Sequence, residues 1–191
     1  MILKNKPAIL CMVVIMLLLC GCTANRELDE QSIVGTVCFS YEDDFIVTAE
    51  VLTEDATENK LVTKTHSAKG KTPEKAVMNL SNNMPKRAMF DHCAAIVLSD
   101  KMNKEKQIEA LRYCVKNPTI NLGTPVIYCS EPQSLLECKS ENIAVGYDII
   151  IQLKVLSLER QSRLYKTAQN LRGIEHFENK NGELTHIDKK S

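Results

Sequence analysis

The chain has 191 residues and carries 24 lysines and arginines against 24 aspartates and glutamates. That length suits one ordinary domain, and the balanced charge, with no basic stripe, excludes a nucleic-acid-binding face.

Lys4 and Lys6 precede an apolar run over residues 8–20. A bilayer-spanning helix needs about 20 apolar residues; this shorter run has the flanks of a secretory signal peptide. It ends in Leu19-Cys20-Gly21-Cys22, which resembles the lipobox of bacterial lipoproteins: an aliphatic residue, a small one, Gly or Ala, then the Cys that is lipidated. A thiol is the side chain suited to attack at neutral pH, and small neighbours leave room for the lipid-transfer and cleavage enzymes. Residues 1–21 are therefore read as a leader and Cys22 as the acylated first residue of a mature chain of 170 residues, with 22 basic and 24 acidic side chains. Each buried acyl methylene contributes about 0.8 kcal/mol and two chains suffice for durable anchoring, so the chain is expected to sit in the membrane without spanning it.

Residues 22–31 are polar and read as a tether. Residues 32–40, with Ile33, Val34, Val37 and Phe39, read as a strand; residues 45–52 read as another, with Val47, Ala49 and Val51 on one side and Ile46, Thr48 and Glu50 on the other. The short polar link Tyr41-Glu42-Asp43-Asp44 makes the pair a hairpin. A charged turn over 54–60 leads to a third strand over 61–66. Thr72 as N-cap, Pro73 at the first position and Glu74 in the first turn open a helix, whose apolar stripe is Ala76, Val77 and Leu80 and whose end should fray at Ser81-Asn82-Asn83.

Residues 94–98 read as a central strand. The clearest helix covers 103–115, with Ile108, Leu111 and Val115 on its stripe, Cys114 beside them, and Pro118 closing it. Residues 124–129 give a further strand and 132–138 a short helix. Within 142–159, the run YDIIIQLKVL fits either a strand or a buried helix. Residues 166–191 are polar and read as a flexible tail. Strands interleaved with helices after an initial hairpin predict an α/β (α+β) single domain with a mixed sheet over residues 32–165.

No catalytic, metal or cofactor-binding residue is predicted. Cys38, Cys93, Cys114, Cys129 and Cys138 lack the CxxC or zinc spacings and read chiefly as small buried hydrophobes, with one or two disulfides open as an alternative outside the cytoplasm. Gly70-Lys71-Thr72 resembles the end of a phosphate loop, but Thr65 stands where GxxxxGK[ST] requires Gly; a turn and helix cap is the reading preferred. His66, His92, His176 and His186 lack paired-ligand spacing, and His92, before a core strand, reads as structural. Ser99 and the cysteines lie in no nucleophile elbow. Lys104, Glu105, Lys106 and Glu109 form a solvated face or, functionally, a docking surface.

Several segments, in one order, resemble the C subunits of bacterial spore germinant receptors, the Ger(x)C (GerAC-like) lipoproteins. They are Gly21-Cys22; Arg26-Glu27-Leu28-Asp29, then Ile33-Val34; Gly70-Lys71-Thr72 with Glu74 and Ala76; Pro85-Lys86, Phe90, His92 and Ile96-Val97-Leu98; and Tyr113, Asn117, Pro118 and Ile120. Thr23-Ala24 stands where members carry Trp-Asp. The resemblance covers residues 21–138, more loosely to Tyr165, and is to the amino-terminal domain alone; the family's longer members carry two further domains. It implies a lipoprotein without catalytic residues on the outer side of the spore inner membrane. Its implied partners are the integral membrane A and B subunits of a complex that senses nutrients and triggers ion release in germination. A stand-alone solute-binding lipoprotein is the alternative, to be favoured by a deep pocket with convergent polar groups.

Overall fold

The computed structural model describes residues 31–55, 60–138, 140, 142–171 and 174–187. The expected leader, Cys22 and nearly all of the tether lie outside the described residues. β-Branched and aromatic residues dominate β1 (Gln31–Tyr41), and the turn at Glu42–Asp44 returns the chain antiparallel as β2 (Phe45–Asp55), with Tyr41 opposite Phe45 and Phe39 opposite Val47. The pairing shifts register between Val34 and Thr36. That extra residue, Gly35, keeps Val34 on the face of Val37 and Phe39, and all three are fully buried in one cluster. β3 (Lys60–Gly70) adds antiparallel to β2 and runs four residues beyond the predicted strand, so that Gly70 pairs with Phe45.

Helix α1 (Pro73–Asn83) begins as predicted: the Thr72 hydroxyl accepts a hydrogen bond from the Lys75 amide at 3.2 Å. A Cβ on Gly70 would stand 2.4 Å from the Ala76 nitrogen, so glycine is what lets the helix pack directly on the strand it leaves. Fraying at residues 81–83 does not occur; the helix holds through Asn83 and ends at Met84, which is extended before Pro85.

β4 (Arg87–Met89), which the pattern did not foretell, and β5 (Ala95–Ser99) both pair parallel with β1, at its beginning and its middle respectively. Every residue of β5 is buried, as a strand covered on both faces requires. Helix α2 (Lys104–Lys116) begins one residue later than predicted, because Asn103 is its cap, the side-chain oxygen accepting from the Lys106 amide at 2.9 Å. Its inward face differs from the predicted stripe. Gln107, Ala110, Leu111 and Cys114 are buried, while Ile108 and Val115 are exposed. Gln107 sets this rotation: its amide nitrogen donates to the Met102 carbonyl at 2.9 Å and its oxygen accepts from the Tyr128 hydroxyl at 2.8 Å.

β6 (Val126–Cys129) lies parallel to β5, and α3 (Pro132–Leu135) follows. The ambiguous apolar run is helical: α4 (Val145–Val155). A short α5 (Leu164–Asn170) precedes β7 (Glu175–Lys180), parallel to β6, and β8 (Glu183–Ile187), antiparallel to β7. The predicted flexible tail over 166–191 is thus corrected: up to Ile187 it supplies most of α5 and a hairpin of the sheet. Asn181 and Gly182 both have positive φ, 58° and 87°, the conformation of a two-residue hairpin turn, and Phe177 anchors the hairpin by complete burial.

The described residues form an α+β unit with eight strands in one mixed sheet. The order is β3-β2-β1-β5-β6-β7-β8, with β4 beside β1. Helices α1, α2 and α5 cover one face over Phe39, Val47, Ile96 and Leu98; α3 and α4 cover the other over Cys38, Val97, Ile127 and Phe177.

Cys38, Cys93, Cys114, Cys129 and Cys138 are all buried and unpaired, so the disulfide alternative is not realised. Burial pushes the Cys93 and Cys129 thiols up to about 12 and Cys138 up to about 11; Cys38 is also raised well above its ordinary value of 9.0 by burial. The raised values lie above those of the unfolded chain, so this stabilisation is present below about pH 9 and is lost as pH rises toward 12. Alkylation of the native protein at neutral pH should therefore leave these five thiols unlabelled, whereas concentrated guanidinium should expose all five to mass-spectrometric mapping. Labelling of any of them under native conditions at the rate of a free peptide thiol would contradict this core.

Candidate functional site

Glu50 alternates with Val47, Ala49 and Val51 along β2 and so points to the face covered by α4, where it is 1% exposed. Its Oε2 accepts a hydrogen bond from the Thr36 hydroxyl at 2.6 Å and its Oε1 accepts one from the Val145 amide at 3.1 Å. The Thr36 oxygen in turn accepts from the Gly146 amide at 2.9 Å. Ala144, at the cap position of α4, has no side-chain hydrogen bond to offer. The carboxylate of a strand 95 residues earlier therefore satisfies the helix start, where unpaired amides and the helix dipole favour negative charge. Burial nevertheless raises the Glu50 carboxyl above its ordinary value, and the Asp148 charge adds to this, while the hydrogen bonds from Thr36 and from the backbone of Val145 and Gly146 oppose it.

Two glycines allow the contact. A Cβ on Gly146 would lie 2.6 Å from the Thr36 oxygen and 2.9 Å from the Gly35 carbonyl; one on Gly35 would lie 3.0 Å from the Ala144 Cβ. Both oxygens of Glu50 are engaged by structural donors, which makes this a clasp for α4.

From the clasp on β1, α4 reaches across the sheet until the Gln152 amide donates to the Leu184 carbonyl of β8 at 3.2 Å. Four strand spacings of about 4.8 Å separate β1 from β8, close to the length of an 11-residue helix at about 1.5 Å per residue. Ile149 and Leu153 point inward and are fully buried. Tyr147, Ile151 and Val155 fall four residues apart on the opposite side; Ile151 is exposed and Val155 is 79% exposed, with Ile143 and Leu156 also exposed at the two ends. The outer face of α4 is an apolar stripe open to solvent.

A polar cluster occupies the ends of the parallel strands. His176 on β7 is nearly buried between two carboxylates, its Nε2 3.0 Å from Glu178 and its Nδ1 3.7 Å from Asp100. The Ser130 hydroxyl lies 3.3 Å from Asp100, 3.4 Å from Glu178 and 3.5 Å from the His176 Nε2. A serine nucleophile needs the imidazole as its acceptor; here Glu178 is the closer partner of Nε2, and the set pins β7 to the ends of β5 and β6. No group of three or more His, Cys, Asp or Glu side chains among the described residues has the arrangement of a metal site.

The other residues singled out in the sequence are dispersed. Ser99 is buried and accepts from the Lys101 amide; His92 is exposed in the turn before β5, and His66 is half-buried on β3. His186 pairs with Glu175 at 2.9 Å. Lys71 pairs with Asp44 at 2.7 Å. Lys104 and Glu105 are exposed, whereas Lys106 bonds Glu109 at 2.8 Å and lies 4.8 Å from the Tyr41 ring centre, so that half of the proposed docking face is committed within the chain. Sequence reasoning missed Glu50 and the α4 stripe as partners. The signal for the stripe was present, since a helix apolar on all sides must cover something with each side.

No helix among the described residues is long and apolar enough to cross a membrane. The fold and its surfaces define a mixed-sheet α+β module in which Ile151 and Val155 of α4 face outward. Residues 24–170 match the family model described as Spore germination protein N-terminal domain, and the chain belongs to that family. No curated protein and no solved structure matches it.

Removing the clasp should be costly. Glu50→Ala leaves the Val145 amide buried without an acceptor and should destabilise the fold by about 2–3 kcal/mol, and Gly146→Ala, which overpacks the same junction, by about 1–3 kcal/mol, both read from denaturant midpoints. Because the Glu50 carboxyl is raised, its contribution is fully present below the unfolded value of 4.5 and is lost as pH rises through the folded one. The stability of the wild-type chain relative to Glu50→Gln should therefore fall from acid toward neutral pH, and a rise would contradict the assignment.

Proposed function

We propose that this protein is a non-catalytic subunit of a nutrient germinant receptor in spore germination, held by lipid on Cys22 at the extracytoplasmic face of the spore inner membrane. The observation that carries this reading is the family match over residues 24–170. Two features support it: the lipobox-like Leu19-Cys20-Gly21-Cys22, and the apolar outer face of α4 around Ile151 and Val155. The partners proposed are the integral membrane A and B subunits. Confinement to one membrane surface raises the effective concentration of each for the other, so a modest apolar contact through α4 suffices to hold a complex. The protein then acts by position and coupling.

Purification of the lipidated protein from sporulating cells tests the reading. A permease-like or transporter-like membrane protein should co-purify, and its absence from a preparation that retains the acyl mass would sink the role. Replacing Cys22 by Ala should release the chain from membranes or block its processing. The double variant Ile151→Lys, Val155→Lys should keep stability within about 0.5 kcal/mol, since both positions are exposed. Recovery of the partner should fall about tenfold or more, the loss of one interface anchor. Undiminished recovery would remove α4 from the interface.

A further inference from the structure

We infer that the protein rests on the bilayer through the edge of the sheet where its parallel strands begin, with Leu61, Leu122 and Tyr165 reaching into the headgroup layer. This rests on the lipid-anchor reading of Cys22. The described chain starts at Gln31, the first residue of β1 and nine residues beyond Cys22. At no more than about 3.5 Å per residue, that link holds this edge within about 30 Å of the lipid.

Strand register places exposed apolar side chains at the same level. Ile33 faces Leu52, and two residues further on Glu54 faces Leu61, so Leu61 lies level with Gln31, two strands away. Val37 pairs with Ile96 and Ile96 with Val126, so the turn that leads into β6, closed by the Thr124 amide donating to the Asn121 carbonyl at 2.9 Å, puts Leu122 at the end of the sheet where β1 begins. The Tyr165 amide donates to the Leu122 carbonyl at 3.1 Å, which sets those two side by side. Leu61, Leu122 and Tyr165 are 53%, 46% and 45% exposed.

The charges agree. Arg87 pairs directly with Gln31 in the sheet and is exposed, as is Lys86 before it. The Lys166 ammonium lies 5.9 Å from the Tyr165 ring centre. A tyrosine beside a lysine suits the boundary between water and lipid, where amphipathic rings settle and long cations reach the headgroups. Glu54, Asp55 and Asp91 stand near this level with Lys60, Lys86, Arg87 and Lys166, so among the described residues the cations there are not outnumbered. The opposite end of β1 turns through exposed Glu42 and Asp43, and the lysines there, Lys69 and Lys71, pair with Glu42 and Asp44, so that turn has no cationic excess to offer an anionic leaflet. The acyl chains supply the affinity, so this edge has only to select one orientation.

The chain has no tryptophan, so a single introduced one reports its own depth. Lipidated full-length protein carrying Tyr165→Trp, or independently Leu122→Trp, is reconstituted on vesicles of phosphatidylethanolamine and phosphatidylglycerol with or without brominated acyl chains. Both should show blue-shifted emission and at least about twofold quenching by the brominated lipid, the sign of a ring at the acyl boundary, while Glu42→Trp at the far end should show neither. Vesicle flotation without quenching at 165 and 122, or with equal quenching at 42, overturns the orientation and leaves the anchor standing. Failure to float removes the anchor and the orientation together.

Discussion

The carboxylate of Glu50 beneath the first turn of α4 is the contact on which the arrangement of this domain turns. A helix with one apolar stripe finds its own orientation, because one rotation buries more hydrocarbon than any other. α4 has no such preference: Ile149 and Leu153 face in while Ile151 and Val155 face out, and exchanging them would change the buried area little. The choice is made by polar geometry. The Val145 and Gly146 amides must meet Glu50 and Thr36, and glycine at 35 and 146 lets the helix start approach β1 closely enough for that to happen. Burial of a carboxylate is unfavourable unless it is hydrogen-bonded, and the raised titration of Glu50 records that its donors offset the cost incompletely.

That arrangement connects fold to function. Because the clasp fixes which side of α4 turns inward, the apolar residues left outside are presented on a rigid element, anchored at β1 and tied to β8 through Gln152. In the role proposed for it, a helix locked at both ends would lose little freedom on binding. The far ends of the parallel strands are instead crowded with paired polar side chains, Asp100, Glu178 and His176 among them.

Much of this was legible in the chain because local patterns and tertiary demands agree. The alternation in residues 45–52, the Thr72-Pro73-Glu74 start and the helix over most of 103–115 each appear where local chemistry places them. Two of the failures share a cause. Gln107 counts as polar in any periodicity, yet it faces inward because Met102 and Tyr128 supply distant partners for its amide; a buried polar group is explained only by the groups that satisfy it. Glu50 is the same case, its partner lying 95 residues away. β4 is too short for periodicity to detect. The β7–β8 hairpin was a different failure, since the Asn181-Gly182 turn was readable and was outweighed by the polar composition around it.

The position of that hairpin carries a practical consequence. The family match ends at residue 170, yet the sheet continues through β7 and β8 to Ile187. A recombinant fragment cut at the profile boundary would strip β6 of its neighbour, leaving its backbone amides and carbonyls as a raw template for another chain and emptying the slot filled by Phe177. Such a fragment would be prone to self-association for reasons unrelated to biology, and oligomers seen with it would say nothing about how the intact protein assembles.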